Sequence, residues 1–259
     1  MNPTAQSRLE SLPPFDFDHA AGAEPLREAF RENGFFVLRK VMDLSKLEHL
    51  RATLRQLFAL QAKEGEDIHA TCARLGTQEK AVLYRIFLCA ARLVVLDSIK
   101  FDCLRWAELL YPGHAYISPD SCVLFALPND QRLAYDWHQE ISYTPGLKNL
   151  VNFWYPVFEA ATRPNGTMSI LAGSHKYGPL PYTEHKPAPD AYNSRVPNNI
   201  QELTRVHSEY HCEIEVGDLV LFHPAAVHRS NPNRTAHTRF TGSFRIMAVE
   251  EIPEKLTFA

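Results

Sequence analysis

The sequence predicts a mainly β fold with flanking α-helices: a double-stranded β-helix (jelly roll) core buttressed by N-terminal helices. Three observations predict it. The first half of the chain carries apolar residues at helical spacing. From Tyr116 onward, about seven or eight short β-prone runs alternate with turn residues, as in a sandwich or jelly roll. Within that half, Asp136-Trp137-His138-Gln139-Glu140 sets an imidazole and a carboxylate two residues apart. On an extended strand, such a pair points to one face.

Residues 1 to about 22 are polar and proline-containing and are expected to be mobile. Pro25 to Asn33 reads as a short helix, with Leu26, Ala29 and Phe30 on one face. Pro25 suits its first turn and Gly34 its C′ position. Phe35-Phe36-Val37-Leu38 reads as a strand. Ser45-Lys46-Leu47-Glu48 matches a capping box. Leu47, Leu50, Leu54, Leu57 and Phe58 then continue at helical spacing to about Ala62. Residues 64–111 read as helix with one break near Gly76 and an end at Gly113. Ala81, Leu83, Tyr84, Phe87 and Leu88 are the expected buried face of that stretch. Helices ahead of a β-rich half fit helices laid against a sheet.

The expected strands are residues 121–127, 135–143, 150–158, 167–171, 213–215, 219–222 and 239–249. Turn signals part them, among them Pro128-Asn129-Asp130, Pro164-Asn165-Gly166 and Gly217-Asp218. Residues 176–210 stand apart, with Pro179, Pro181, Pro187, Pro189 and Pro197 and little periodicity. A long loop without secondary structure is usually functional, so this stretch is expected to form a lid. Tyr177, Tyr182, His185 and Arg195 belong to it.

A length of 259 residues is read as a single domain, 1–259. A net charge of −3 and a pI near 6.5 leave no electrostatic footprint for nucleic acid. No apolar run approaches the roughly 18 residues of a membrane span. The first residues, Met1-Asn2-Pro3-Thr4, lack a basic region and an apolar run, so no signal peptide is expected. The five cysteines are odd in number and form no C-x-x-C, which fits reduced thiols in a cytoplasmic protein. The expected partner is a small-molecule substrate; nothing in the sequence specifies an oligomeric state.

Composition alone gives roughly one or two pairs of His followed two residues later by an acid. The chain has three: His138/Glu140, His207/Glu209 and His211/Glu213. Context separates them. The first lies in an apolar and aromatic run bounded by turns, whereas the others follow the proline-rich stretch and read as solvated surface. A third ligand is expected from a later strand facing the same space. Gly217 to Phe222 is a turn and a strand, followed by His223 and His228. His223 precedes Pro224 and reads as structural, which makes His228 the candidate. Two histidines and one carboxylate on one face of a metal leave positions open opposite, the ligand set of non-haem Fe(II) oxygenases.

These motifs resemble the phytanoyl-CoA dioxygenase family of Fe(II)/2-oxoglutarate oxygenases. Trp137-His138-Gln139-Glu140 is similar to that family's W-H-Q-D. Asn165-Gly166-Thr167 with Ala172-Gly173-Ser174-His175 is similar to its N-G…P-G-S-H segment, and Gly217 to His223 to its G-D strand. His228-x-Ser230, with Arg239 eleven residues after His228, resembles its distal histidine and oxoglutarate arginine. Asn33 to Leu38 is similar to its opening helix and strand, so the resemblance runs from about residue 25 to 249.

The resemblance implies a cupin-like jelly roll in which His138, Glu140 and His228 hold Fe(II) as the catalytic centre. It implies that Arg239 pairs with the distal carboxylate of 2-oxoglutarate, a contact that suits guanidinium geometry. Ser230 would help hold that carboxylate, and Tyr135 would line the co-substrate site. The implied activity is a dioxygenase that consumes O2 and 2-oxoglutarate, hydroxylates a small organic molecule and releases succinate and CO2. One departure stands out: Glu140 occupies the place of the family's usual Asp. Its extra methylene requires the carboxylate to fold back or the metal to shift. Gly173, Ser174 and His175 are read as turn structure and Trp154 as core wall.

From the residues themselves three other readings stay open. A zinc hydrolase could use two His and one Glu, although the H-E-x-x-H helix signature is absent. A cupin-like metal enzyme that does not use 2-oxoglutarate would share the fold without needing Arg239. A non-catalytic small-molecule-binding barrel would not need the ligands.

Overall fold

The computed structural model describes residues 15–18, 20–132, 134–144 and 149–249. In chain order its elements are β1 (Asp16–Phe17), α1 (Ala23–Asn33), β2 (Phe35–Leu38), α2 (Leu44–Ala59), α3 (Ile68–Gln78), α4 (Lys80–Ala90) and α5 (Val94–Leu110). Then come β3 (Ala115–Ile117), β4 (Ser121–Ala126), β5 (Leu150–Pro156), β6 (Met168–Leu171), β7 (Tyr182–His185), β8 (Ser194–Pro197) and α6 (Ile200–Val206). The last are β9 (Glu209–His211), β10 (Leu219–Phe222), β11 (His228–Ser230) and β12 (Arg239–Val249). Short 3-10 turns span Glu140–Ser142 and Ser174–Tyr177.

Seven strands form the main sheet in the order β1-β2-β10-β5-β12-β3, with β4 also paired to β12. Strand β12 is long enough to pair β4 along its first part and β3 at its end. A second sheet, β11-β6-β9, lies across from it, and β7–β8 make a separate hairpin. Alternation along the strands explains the layering. Phe36 and Leu38 of β2, Leu219 and Leu221 of β10, and Val151, Phe153 and Tyr155 of β5 pack with helices α1 to α5. Their neighbours Phe35, Val37, Val220, Phe222 and Trp154 pack with Met168, Ile170 and Cys212 of the second sheet's side. Both faces of these strands are therefore covered, which is why all four residues of β2 are buried. The expected mainly β jelly-roll core with flanking helices is the architecture observed.

On β12 the alternation changes character. Phe240, Phe244 and Ile246 join the helix-side core. Arg239, Thr241, Ser243 and Arg245 have the opposite parity and face the space between the sheets. That face thus turns from apolar at β2 and β10 to polar at β12, and the polar end holds the candidate site.

Several elements differ from the expectation. Within the stretch expected to be mobile, Asp16–Phe17 pairs in parallel with Val37 and Leu38; residues 1–14 and 19 lie outside the described residues. Helix α1 ends as expected, on Gly34 in the left-handed region at φ 81°. Helix α2 is capped by Asp43, whose side chain accepts the Ser45 amide, rather than by the Ser45/Glu48 box. Residues 64–111 form three helices, and the breaks fall at Glu79 and at residues 91–93. Gly76 does not break the helix. It lies inside α3, and a Cβ there would come within 2.3 Å of Leu127 Cδ1, so close packing explains the glycine. The buried face of α4 is Leu83, Ile86 and Ala90, while Tyr84 and Leu88 are exposed.

Residues 176–210 are not structureless. They contain β7, β8, α6 and the start of β9, with Pro181 just ahead of β7 and Pro197 closing β8. The expected strand at 213–215 is displaced to β9, and Ile214 makes only a bridge to Ala161. Residues 135–143 are not a strand either; among them His138 makes a single bridge and Glu140–Ser142 is a 3-10 turn. The turn forms because the Gln139 and Glu140 carbonyls accept the Ser142 and Tyr143 amides.

Candidate metal centre

The backbone of His138 pairs with that of His228, the first residue of β11. Gln139 is still extended, at φ −120° and ψ 136°, before the 3-10 turn begins at Glu140. One extended residue between them is enough to bring His138 and Glu140 to one side, so the spacing argument holds without a full strand. The side chains of His138, Glu140 and His228 each offer a ligand atom, and these atoms lie within 4.8 Å of one another. Glu140 Oε1 is 3.6 Å from His138 Nε2 and 3.5 Å from His228 Nε2.

The other ring nitrogen of each histidine is fixed. His138 Nδ1–H donates to the Asp136 carbonyl at 2.6 Å, and His228 Nδ1–H to the Ala226 carbonyl at 2.9 Å. A carbonyl only accepts, so Nδ1 carries a proton and Nε2 is the nitrogen that faces Glu140. Such an outer contact orients a metal-binding imidazole and sets its tautomer. Burial lowers the pKa of His228, and His138 adds to that effect. Burial opposes the charged form of Glu140, but Arg245 and the two imidazoles outweigh it and hold the carboxyl well below its usual range. A carboxylate flanked by the Nε2 atoms of two imidazoles is a donor set that fits a divalent metal.

Gln139 points away, as the alternation requires. Its amide donates to the Gly178 and Ala225 carbonyls at 2.9 and 2.7 Å, and its oxygen accepts the Leu180 amide. Trp137 is buried with Leu171, Leu203 and Val227. Tyr135 lies against the His138 ring, centroids 5.1 Å apart, and is stacked by Tyr192 at 4.8 Å. Ser230 shares the His228 face of β11 and is half-buried.

Arg239 is buried at the start of β12. Its Nε and Nη2 donate to the carbonyls of Asn165 and Gly166 at 3.0 and 2.9 Å. Its guanidinium carbon lies 5.6 Å from the Trp154 ring centroid, so the expected core-wall tryptophan also flanks this arginine. Among the described residues no carboxylate lies within ion-pair distance of it. Burial draws its pKa down to about 10, opposed by Glu159. A buried guanidinium without a counter-ion favours an anionic ligand.

The other H-x-E pairs stay outside the cluster; Glu213 is exposed, as expected, whereas His207, Glu209 and His211 are half-buried structure rather than solvated surface. His207 Nδ1–H donates to the Ala172 carbonyl, and His211 contacts the Ser169 hydroxyl at 2.9 Å. Glu209 pairs with Arg229, and Glu213 with Arg163. His223 is structural, as expected. Its Nδ1 accepts the Ala225 amide, its ring lies 5.2 Å from that of His175, and burial pushes its pKa down to about 4. His175, read as turn structure, touches the Arg31 carbonyl and sits against Gly34.

One residue at the centre was missed from sequence. Arg245 Nη2 donates to Glu140 Oε2, its Nη1 to Asp120, and its Nε to Asn152 Oδ1 at 3.2 Å. The signal was present: Arg245 has the parity of Arg239 on a strand whose alternate positions are Phe240, Phe244 and Ile246. The β7–β8 hairpin docks beside the same turn. The Tyr143 hydroxyl donates to the Asn193 carbonyl at 3.1 Å and accepts the Arg195 amide at 2.9 Å. The Asp136 amide donates to Ser194 Oγ.

The five cysteines are all free. Among the described residues, no helix is long and apolar enough to cross a membrane.

Residues 30–241 match the family described as phytanoyl-CoA dioxygenase (PhyH). The chain is 22% identical over 231 residues to a "Probable phytanoyl-CoA dioxygenase" of Caenorhabditis elegans, covering 81% of this chain and 70% of that protein. It is 25% identical over 229 residues to "Phytanoyl-CoA dioxygenase, peroxisomal" of Rattus norvegicus, covering 81% of this chain. Of the rat protein's own length it spans 63%. Its fold is similar to that of EvdO2 from Micromonospora carbonacea var. aurantiaca, solved with 2-oxoglutarate, at a TM-score of 0.59 and 20% identity. That likeness covers 92% of this chain and 96% of EvdO2.

Proposed function

Because this chain belongs to the phytanoyl-CoA dioxygenase (PhyH) family, we propose that it is an Fe(II)- and 2-oxoglutarate-dependent dioxygenase that hydroxylates a small organic molecule. The observation that carries the proposal is the buried convergence of His138, Glu140 and His228 within 4.8 Å. These three residues hold the metal. Bound Fe(II) with O2 and 2-oxoglutarate supplies the oxidising chemistry, with succinate and CO2 as by-products.

The chain's own contribution is to bind, orient and exclude water. The Asp136 and Ala226 carbonyls keep both Nε2 lone pairs on the metal side. Arg239 receives the distal carboxylate of 2-oxoglutarate, which gives the buried guanidinium a counter-ion. Ser230, on the His228 face, adds a hydroxyl to that contact. Tyr135 forms a wall beside His138 and narrows the space open to water. The β7–β8 hairpin, within the 176–210 stretch, is the part of the chain placed to close over a substrate.

The test is an anaerobically loaded Fe(II) protein given 2-oxoglutarate, O2 and a panel of candidate small molecules. The expected result is substrate-stimulated succinate formation that is lost in His138→Ala. Substrate oxidation without succinate would favour a metal enzyme that does not use 2-oxoglutarate, and would overturn the proposal.

A further inference from the structure

Glu140 faces two demands at once. Its Oε1 lies between the Nε2 atoms of His138 and His228, at 3.6 and 3.5 Å. Its Oε2 accepts from Arg245 Nη2. The guanidinium is itself anchored: Nε donates to Asn152 Oδ1 at 3.2 Å and Nη1 to Asp120. Asn152 is in turn fixed by its amide, which donates to the Phe222 carbonyl at 3.2 Å. A planar fork held on two other sides cannot follow the carboxylate if it turns. A carboxylate beside a divalent cation can ligate through one oxygen or through both.

We propose that Arg245 is a positioning residue that occupies Oε2 of Glu140, so that Glu140 meets the metal through Oε1 alone and one further coordination position stays open. The inference rests on the metal-binding part of the proposed function and not on the identity of the co-substrate. It also accounts for a glutamate at this position. Its extra methylene lets one carboxylate reach the two imidazoles and the arginine of β12 together. An arginine that merely tied the 3-10 turn to β12 would hold the same ion pair and influence only stability.

The experiment counts exchangeable waters on the Mn(II)-loaded protein by water-proton relaxation, without 2-oxoglutarate or substrate. Three protein ligand atoms leave about three positions on a six-coordinate ion. In Arg245→Met, both Glu140 oxygens become free to ligate, and the water count is expected to fall by roughly a third. Arg245→Lys keeps a cation and a donor for Oε2 and is expected to restore most of the loss. An unchanged count in Arg245→Met, with only a lower melting temperature, would overturn the inference. Should Arg245→Met not fold, the wild-type protein still decides. A crystal structure of its Mn(II) form should show Oε1 on the metal and Oε2 on Arg245, and two Glu140 oxygens on the metal would refute it. Because no 2-oxoglutarate is present, failure of the oxygenase proposal leaves these readouts unchanged.

Discussion

His138 and His228 donate their backbone amides to each other's carbonyls, at 2.9 and 3.0 Å, and their rings lie 4.1 Å apart. This two-bond bridge joins segments 90 residues apart in sequence and brings the rings together through the backbone. The metal-free protein is therefore expected to be folded, with the metal adding stability by mass action. At a free metal concentration a hundredfold above Kd the gain is about 2.7 kcal/mol. Thermal denaturation with chelator and with Mn(II) measures it. His228→Ala should keep the chelator value close to wild type but lose the Mn(II) shift; an equal shift in the variant would contradict the assignment.

Arg239 should set co-substrate affinity. Arg239→Ala removes the cation assigned to the distal carboxylate of 2-oxoglutarate, at a cost of about 2–5 kcal/mol. The apparent 2-oxoglutarate constant should rise steeply while Mn(II) affinity is retained. A constant that does not move would show that Arg239 serves another purpose.

Acid should weaken the fold through His223. Its folded pKa is near 4, below that of an ordinary imidazole, because burial opposes the charged form. The unfolded chain binds the proton first as pH falls below about 6.5, so stability declines from there and the loss is complete near the folded value. The difference corresponds to about 3 kcal/mol. His175 shifts in the same direction. Urea denaturation between these pH values should show a flatter decline in His223→Gln than in wild type. An identical slope would place the acid sensitivity elsewhere.

The hairpin is held beside the Glu140 turn mainly by side-chain contacts: Tyr143 with Asn193 and Arg195, Arg195 with the Ser142 carbonyl, Ser194 and His185 with Asp136, and Tyr192 on Tyr135. Movement there would open the side of the metal centre that Tyr135 walls. Hydrogen exchange over residues 182–197 should slow when 2-oxoglutarate and substrate are added to the Mn(II) protein. Equal exchange in both states would remove the lid from the account.

The strands were legible where alternation is strict. Phe35 to Leu38, Leu219 to Phe222 and Arg239 to Val249 fall where their patterns placed them. The histidine and carboxylate cluster was legible because it needs only an extended Gln139 between His138 and Glu140. The strand expected around it was not, since the local hydrogen bonds of Glu140 and Gln139 that bend the chain leave no mark in polarity. Gly76 was misread because a glycine that makes room for Leu127 looks the same in sequence as one that ends a helix. The prolines of 176–210 suggested loop, yet Pro197 closes an edge-type hairpin strand, where its missing amide costs nothing. Arg245 was readable from parity with Arg239, but its partners come from β4's approach, β5 and the 3-10 turn.

The most direct test of the central claim is anaerobic Fe(II) titration of wild type, Glu140→Ala, Glu209→Ala and Glu213→Ala. Glu140 is the one acid among the three that lies with His138 and His228; Glu209 and Glu213 are engaged by Arg229 and Arg163. Glu140→Ala is expected to bind Fe(II) at least about tenfold more weakly, a loss of about 1.4 kcal/mol or more. Glu209→Ala and Glu213→Ala are expected to keep wild-type affinity. Unaltered Fe(II) binding in Glu140→Ala, or loss of binding in Glu209→Ala or Glu213→Ala, would contradict the central claim.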